Sequence, residues 1–301
     1  MIELPDAAWI LPEERGVLAV EGPDSRDFLQ GLVSNDVQRV AADRAIYAAL
    51  LTPQGRYLHD FFIAAQGDSL LLDVDAPRRD DLKRRLSMYK LRAKVTLSDA
   101  TERCAVALIY GTTALERLGL SAEPGHARPF GDGVAYVDPR LATLGARALL
   151  PRATAAESLA AAGLAPGDAA DYDRLRLFQG VPDGSRDLPV EKAILLENGF
   201  DELHGIDWNK GCYIGQELTA RTKYRGLVRK RLMPVDIVGP TPEPGTPLML
   251  DGQEAVEMRG AADGHGLAMI RLEYLDKMGD DGALAAGDAR VTPRKPHWAG
   301  F

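Results

Sequence analysis

The apolar residues of this chain fall into short runs separated by turn chemistry, and their spacing predicts an alternation of strands and helices. Gly16 to Val20 reads as a strand, followed by the turn Gly22-Pro23-Asp24, whose Asp is placed to cap a helix. Phe28, Leu29, Leu32 and Val33 then share one helical face. Ala45 to Leu51 and Leu58 to Ala65 flank Pro53-Gln54-Gly55 and predict an antiparallel hairpin. Ser69 to Val74 predicts a further strand, and Leu82, Leu86 and Tyr89 put a helix over Asp80 to Tyr89. Leu91 to Leu97, Cys104 to Tyr110 and Gly133 to Val137 complete the strands of an α+β arrangement. Ala153 to Ala170 reads as an alanine-rich helix broken at Pro166-Gly167, and Asp171 to Gly180 as another helix. Val181 to Glu197 is rich in Pro, Asp and Gly, an ordered long loop of the kind that carries function.

After Lys230 the texture changes. Leu232 to Val238, Pro247 to Leu250, Ala255 to Arg259 and Leu267 to Arg271 are short β runs between Pro- and Gly-rich turns, which predicts a small β-barrel or sandwich. The expected division is therefore 1–229 and 230–301. The 301 residues, 46% apolar and 27% charged, have the composition of an ordinary globular protein. A net charge of −8 argues against coating nucleic acid, and no DNA partner is expected. The start Met-Ile-Glu-Leu-Pro-Asp lacks a signal-peptide pattern, and no apolar run is long enough to span a bilayer. With two cysteines there is neither a disulfide framework nor a Cys-rich zinc site, so a cytoplasmic protein without a membrane partner or intrinsic metal is expected. Cys104, inside an apolar run, reads as a packing residue.

Chemistry concentrates in Lys210-Gly211-Cys212-Tyr213-Ile214-Gly215-Gln216-Glu217. A thiol between glycines, beside a lysine and ahead of a helix, reads as exposed and inclined to the thiolate. Cys212 has three readings: an apolar filler, a nucleophile with His59 or His204 as base, or a thiol that contacts a metal centre, a sulfur species or a partner. The flanking residues favour the third. One cysteine cannot house an iron–sulfur cluster, so any such role is shared with another protein. Arg221, Lys223, Arg225, Arg229, Lys230 and Arg231 form a basic run, either a solvated face or an anion site. His59 and Asp60 end a strand beside a cleft or on the surface. Asn35-Asp36 is explained as a helix C-terminal cap, while Glu197 and Trp208 offer a carboxylate and a stacking wall for a pterin-like ring.

The run from Val181-Pro182 through Glu197-Asn198, Gly205-Ile206 and Lys210 to Arg231 resembles the YgfZ family, folate-binding proteins related to the aminomethyltransferase (T-protein) of glycine cleavage. Gly22-Pro23-Asp24 to Asp36-Val37, Leu51 to Tyr57 and Tyr89-Lys90-Leu91-Arg92 extend the likeness through the N-terminal half. Gln179 to Pro182 and Arg186 to Pro189 are similar to the branch that includes the mitochondrial iron–sulfur assembly factor. The resemblance implies a T-protein-like ring of two α/β subdomains and a C-terminal barrel, with tetrahydrofolate in the central hole. It implies an accessory role in assembling or repairing [4Fe–4S] enzymes, including tRNA-modifying ones, with iron–sulfur carriers or clients as partners. Cys212 would be the functional thiol and a shared cluster ligand, with Lys210, Gly211, Tyr213, Gly215, Gln216, Glu217 and Arg221 as its motif. Asn35, Tyr47, Glu197, Trp208 and Lys210 are the expected folate contacts. The alternative is a tetrahydrofolate-dependent aminomethyl transferase with Asp60 as its catalytic carboxylate. Two departures weigh against it: His59-Asp60 stands where the transferases have an acidic pair, and Phe178 stands where their pterin-gripping Glu lies.

Overall fold

The computed structural model describes residues 3–278 and 282–300. Its β structure forms three bodies. The first is a five-stranded sheet in the order Ile46–Leu51, Tyr57–Gln66, Ser69–Asp75, Arg15–Glu21, Thr96–Asp99, antiparallel throughout. The second has six strands: Ala165–Pro166, Ala8–Ile10, Cys104–Tyr110, Ala146–Pro151, Gly133–Val137 and Ala127–Phe130. The third is a closed barrel in which Lys230–Val238 pairs with both His265–Arg271 and Ala289–Pro293. The expected α+β ring with a terminal barrel is what the chain forms.

Three local expectations differ. The Asp24 carboxylate does not cap the Ser25–Gln30 helix but accepts the Lys94 amide at 2.7 Å. This tie holds Leu91 to Val95 as a turn, and only Thr96–Asp99 pairs as a strand. The alanine-rich stretch is helical over Ala155–Ala161 and again from Ala169, where the next helix begins, and between them Ala165–Pro166 pairs with Ala8–Ile10. Ala146–Pro151 is a central strand although Ala, Arg and Leu favour helices, because partners on both edges override propensity. Cys104 is buried in the core, and burial pushes its thiol up to about 11.

The two sheets share a core built on Tyr47, Tyr57, Phe62, Tyr110, Tyr136 and Phe200. A buried ionic chain crosses it. Asp73 of the first sheet accepts Arg15 Nε at 2.6 Å and Arg147 Nη1 at 2.5 Å, Arg147 coming from the second sheet. Arg147 Nε also reaches Asp138 at 3.2 Å, and Asp138 holds Arg140 through two bonds of 2.9 and 3.0 Å. The Arg147 guanidinium lies 3.7 Å from the Phe62 ring centre. Every charge thus has a counter-charge, without which burial costs several kcal/mol per ion.

The barrel is fastened to the Ala169–Gln179 helix. Gly180 ends this helix at φ +78°, and a Cβ there would stand 2.8 Å from Pro234. Phe178 sits between the Arg294 guanidinium at 4.6 Å and the His265 ring at 5.4 Å. Trp298 donates its indole N–H to the Gln179 carbonyl at 2.7 Å and lies against Gly199, whose Cβ would meet the ring at 2.7 Å.

Candidate functional site

The thiol loop is pinned on both sides of Cys212. Asp207 accepts the amides of Asn209 and Lys210 at 2.7 and 2.9 Å, which bends the chain inward. Lys210 then plunges into the protein. Its Nζ donates to the carbonyls of Gln30, Val33 and Asn35 at 2.7, 2.6 and 2.9 Å, which uses all three of its hydrogens. Burial pulls this ammonium down to about 8, opposed by Asp36 and Asp207. Tyr213 is buried and packs 5.2 Å from the same Nζ. Gly215, at φ +81°, comes so close to the Thr52 carbonyl that a Cβ would lie 2.6 Å from it. The Gln216–Tyr224 helix starts from that contact, and Thr219 and Thr222 hydroxyls donate to carbonyls of the preceding turn.

Between these anchors Gly211 and Cys212 are exposed, and nothing lies within 4 Å of a Cβ built on Gly211. The expected lysine beside the thiol is therefore turned away from it and serves as an internal plug. Glu217 and Arg221 pair with each other on the outer face of the helix. The basic run is largely neutralised within the molecule: Lys223 pairs with Asp201, Lys230 with Glu197 and Arg231 with Glu202. The two candidate bases are engaged elsewhere. His59 Nε2 meets Asp81 at 3.0 Å, and His204 Nδ1 meets the Pro139 carbonyl at 3.1 Å. Burial and Arg78 lower His59 to about 4, with Asp81 opposing.

The residues expected around folate divide. Asn35, Tyr47 and Trp208 line one cavity of about 450 Å³, together with Arg39, Arg44 and His204. Asn35 is a strut there: its Nδ2 donates to the carbonyls of Tyr47 and His204, each at 2.7 Å. Trp208 donates to Asp201 at 2.6 Å and carries Lys223 4.0 Å from its ring centre. Glu197 lies apart, buried in its pair with Lys230, and burial pushes its carboxyl up. Lys210 is not among the lining residues. Asp60 is 7% exposed, with the hydroxyls of Tyr47 and Tyr57 donating to its two oxygens at 2.7 and 2.6 Å. Burial and that carboxylate raise both phenols well above their usual value.

A second cavity of about 410 Å³ opens between the sheets and the Ala169–Gln179 helix, and sequence reasoning did not single it out. Its wall includes Arg15, Arg140, Arg147, Arg176, Tyr172 and Asp183. The Asp183 side chain keeps 39% of its surface free. Enclosure pushes its carboxyl up, but Arg176, Arg15, Arg186 and Arg140 prevail and hold it near about 2. Asp183 does lie in the long loop from which function was expected. Arg15 and Arg147 left no periodic trace, because the partner they share, Asp73, is 58 and 74 residues away.

Two linked sheets and a closed barrel around such cavities define the aminomethyltransferase T-protein fold. A solved structure of that class, glycine cleavage system aminomethyltransferase T from Bartonella henselae, matches with a TM-score of 0.78 over 98% of this chain and 86% of its own. At 14% identity it speaks to the fold alone. Residues 14–123 match the GCVT N-terminal domain, and residues 229–301 match the CAF17 C-terminal beta-barrel domain. The mitochondrial iron–sulfur cluster assembly factor IBA57 of Mus musculus is 36% identical over 290 residues, covering 87% of this chain and 76% of the relative. IBA57 of Homo sapiens is 36% identical over 291 residues, covering 89% and 79%. The chain belongs to the IBA57 family of iron–sulfur cluster assembly factors, and the YgfZ likeness narrows to that branch. The expected cytoplasmic location is overturned by the same relatives, both of which are named mitochondrial.

Proposed function

We propose that this protein assists iron–sulfur cluster assembly by lending Cys212 as one ligand of a cluster held jointly with a partner. The observation that carries this reading is the exposed thiol between the buried anchors Lys210 and Tyr213. The thiol releases its proton as sulfur bonds iron, and the remaining ligands come from the partner, an iron–sulfur carrier or client. A fixed loop presents the sulfur without a reordering cost on each encounter. In cells whose own copy is deleted, Cys212→Ser is expected to leave [4Fe–4S] enzyme activity at the level of the deletion. Full activity in that strain would remove the thiol from the reading.

The arginine-lined cavity is proposed as the site of tetrahydrofolate. Its size is within the range of small-molecule sites. Asp183 offers acceptor oxygens for a pterin's N–H donors and Tyr172 an aromatic wall. Tetrahydrofolate supplies one-carbon or redox chemistry when bound; the work of these side chains is to hold and orient it. Calorimetric titration with tetrahydrofolate is expected to show binding that weakens about tenfold in Asp183→Asn and is unchanged in Cys212→Ser. Absence of binding to wild type would overturn the cofactor proposal and leave the thiol proposal standing. Aminomethyl transfer is not taken up, because both Asp60 oxygens receive tyrosine hydroxyls and Phe178 is turned to the barrel.

A further inference from the structure

A second surface combines exposed apolar groups with cations that form no ion pair among the described residues. Among the described residues six large hydrophobic side chains are markedly exposed, and three of them fall within four positions: Met88, Tyr89 and Leu91. They crown the C-terminal end of the Arg79–Tyr89 helix, whose other face is buried through Leu82 and Leu86. Leu91 is 91% exposed and stands at φ +39°, a conformation that costs an L-residue energy. The turn that holds it is ordered by hydrogen bonds from Lys90 N to Ser87 O and from Ala93 N to Lys90 O, the latter at 2.7 Å. Unfavourable backbone and an unshielded leucine are thus maintained together at a protruding tip.

Lys83, Lys90, Arg92 and Lys94 surround this tip, and none forms an ion pair among the described residues. The neighbouring acids are already engaged: Asp80 with Arg79, Asp81 with Arg84 and Arg85, and Asp24 with the Lys94 amide. Residues 83–94 differ in this from Arg221 to Arg231, where four of the six cations have internal partners.

We propose that this tip docks on an anionic lipid surface, with Met88, Tyr89 and Leu91 entering the interface and the four cations meeting headgroup phosphates. Leu91 is the most exposed of the three, and the depression beside Met88 is open and lined by Asp80, Lys83, Arg84, Ser87 and Met88. A protruding apolar point ringed by long flexible cations suits a diffuse layer of phosphates, where an amphipathic Tyr rests at headgroup level. Apolar insertion plus a basic ring supplies the two signals that stable surface attachment requires. The overall charge of −8 does not oppose it, because repulsion is screened beyond a Debye length of roughly 8 Å. The expectation of no membrane partner rested on the lack of a spanning segment, and a surface contact needs none. No helix among the described residues is long and apolar enough to cross a membrane.

Cosedimentation with vesicles tests the proposal. Wild-type protein is expected to bind vesicles of phosphatidylcholine mixed with phosphatidylglycerol, and to bind pure phosphatidylcholine at least about tenfold more weakly. Leu91→Glu and the double change Lys90→Glu with Arg92→Glu should each reduce binding to the anionic vesicles about tenfold or more. These are surface positions, so circular dichroism should show both variants folded. Failure of wild type to bind anionic vesicles, or equal binding by wild type and both variants, overturns the proposal. Loss of a protein contact in Leu91→Glu, with no vesicle binding by wild type, would overturn it and assign the tip to a partner protein.

Discussion

The ionic chain between the two sheets and the loop around Cys212 handle polar chemistry in opposite ways. In the centre, Asp73, Arg147, Asp138 and Arg140 are withdrawn from water and satisfy one another, so their charge serves geometry. In the loop, Lys210 is withdrawn in the same manner, but it exists to leave Cys212, two residues on, outside. Burial of one polar group is what frees its neighbour for reaction. Cys212 stands out less by its own contacts than by the bonds that fix Lys210.

That contrast can be broken at graded cost. Arg147→Ala leaves two buried carboxylates short of a partner and should destabilise the fold by about 3–5 kcal/mol, read from urea unfolding. Lys210→Met strands three carbonyls and is expected to cost about 2–3 kcal/mol, together with lost cluster-related activity although the thiol is intact. The third test uses acid. His59 is held near about 4, below its ordinary 6.5, so the unfolded chain binds a proton that the folded one refuses. Stability from this site is full above about pH 6.5 and drains as pH falls toward 4, by about 3 kcal/mol. The slope should flatten in His59→Asn, and an unchanged slope would count against the buried neutral imidazole. Cys212→Ser should move unfolding by less than about 0.5 kcal/mol while abolishing function. A large stability loss in that variant would place the cysteine in the structural class with Lys210.

The barrel and the first hairpin were legible because alternating apolar positions and Pro/Gly turns act locally. The octet was legible as a site because glycines, a lysine and a tyrosine around one thiol are a local pattern too. Lys210's direction was not, since the carbonyls that receive it lie more than 170 residues away. The same holds for the arginine-lined cavity: Arg147 reads as an ordinary charge until Asp73, 74 residues distant, is folded against it. Tyr47 and Asn35, expected at a folate site, line a cavity, but their polar atoms are occupied by Asp60 and by backbone carbonyls. Leu91 to Leu97 alternates like a strand, and the Asp24–Lys94 bond takes most of it into a turn instead.

Trp298 bears on the order in which the molecule can be made. Its indole secures the end of the helix that walls the arginine-lined cavity, and its ring fills the space over Gly199. A ribosome must therefore release the chain through residue 298 before that wall is locked. The sheets can assemble during synthesis, whereas the cavity reaches its final shape only after the barrel has closed and residue 298 has emerged. A cavity completed last is also one that a truncated or stalled product cannot present.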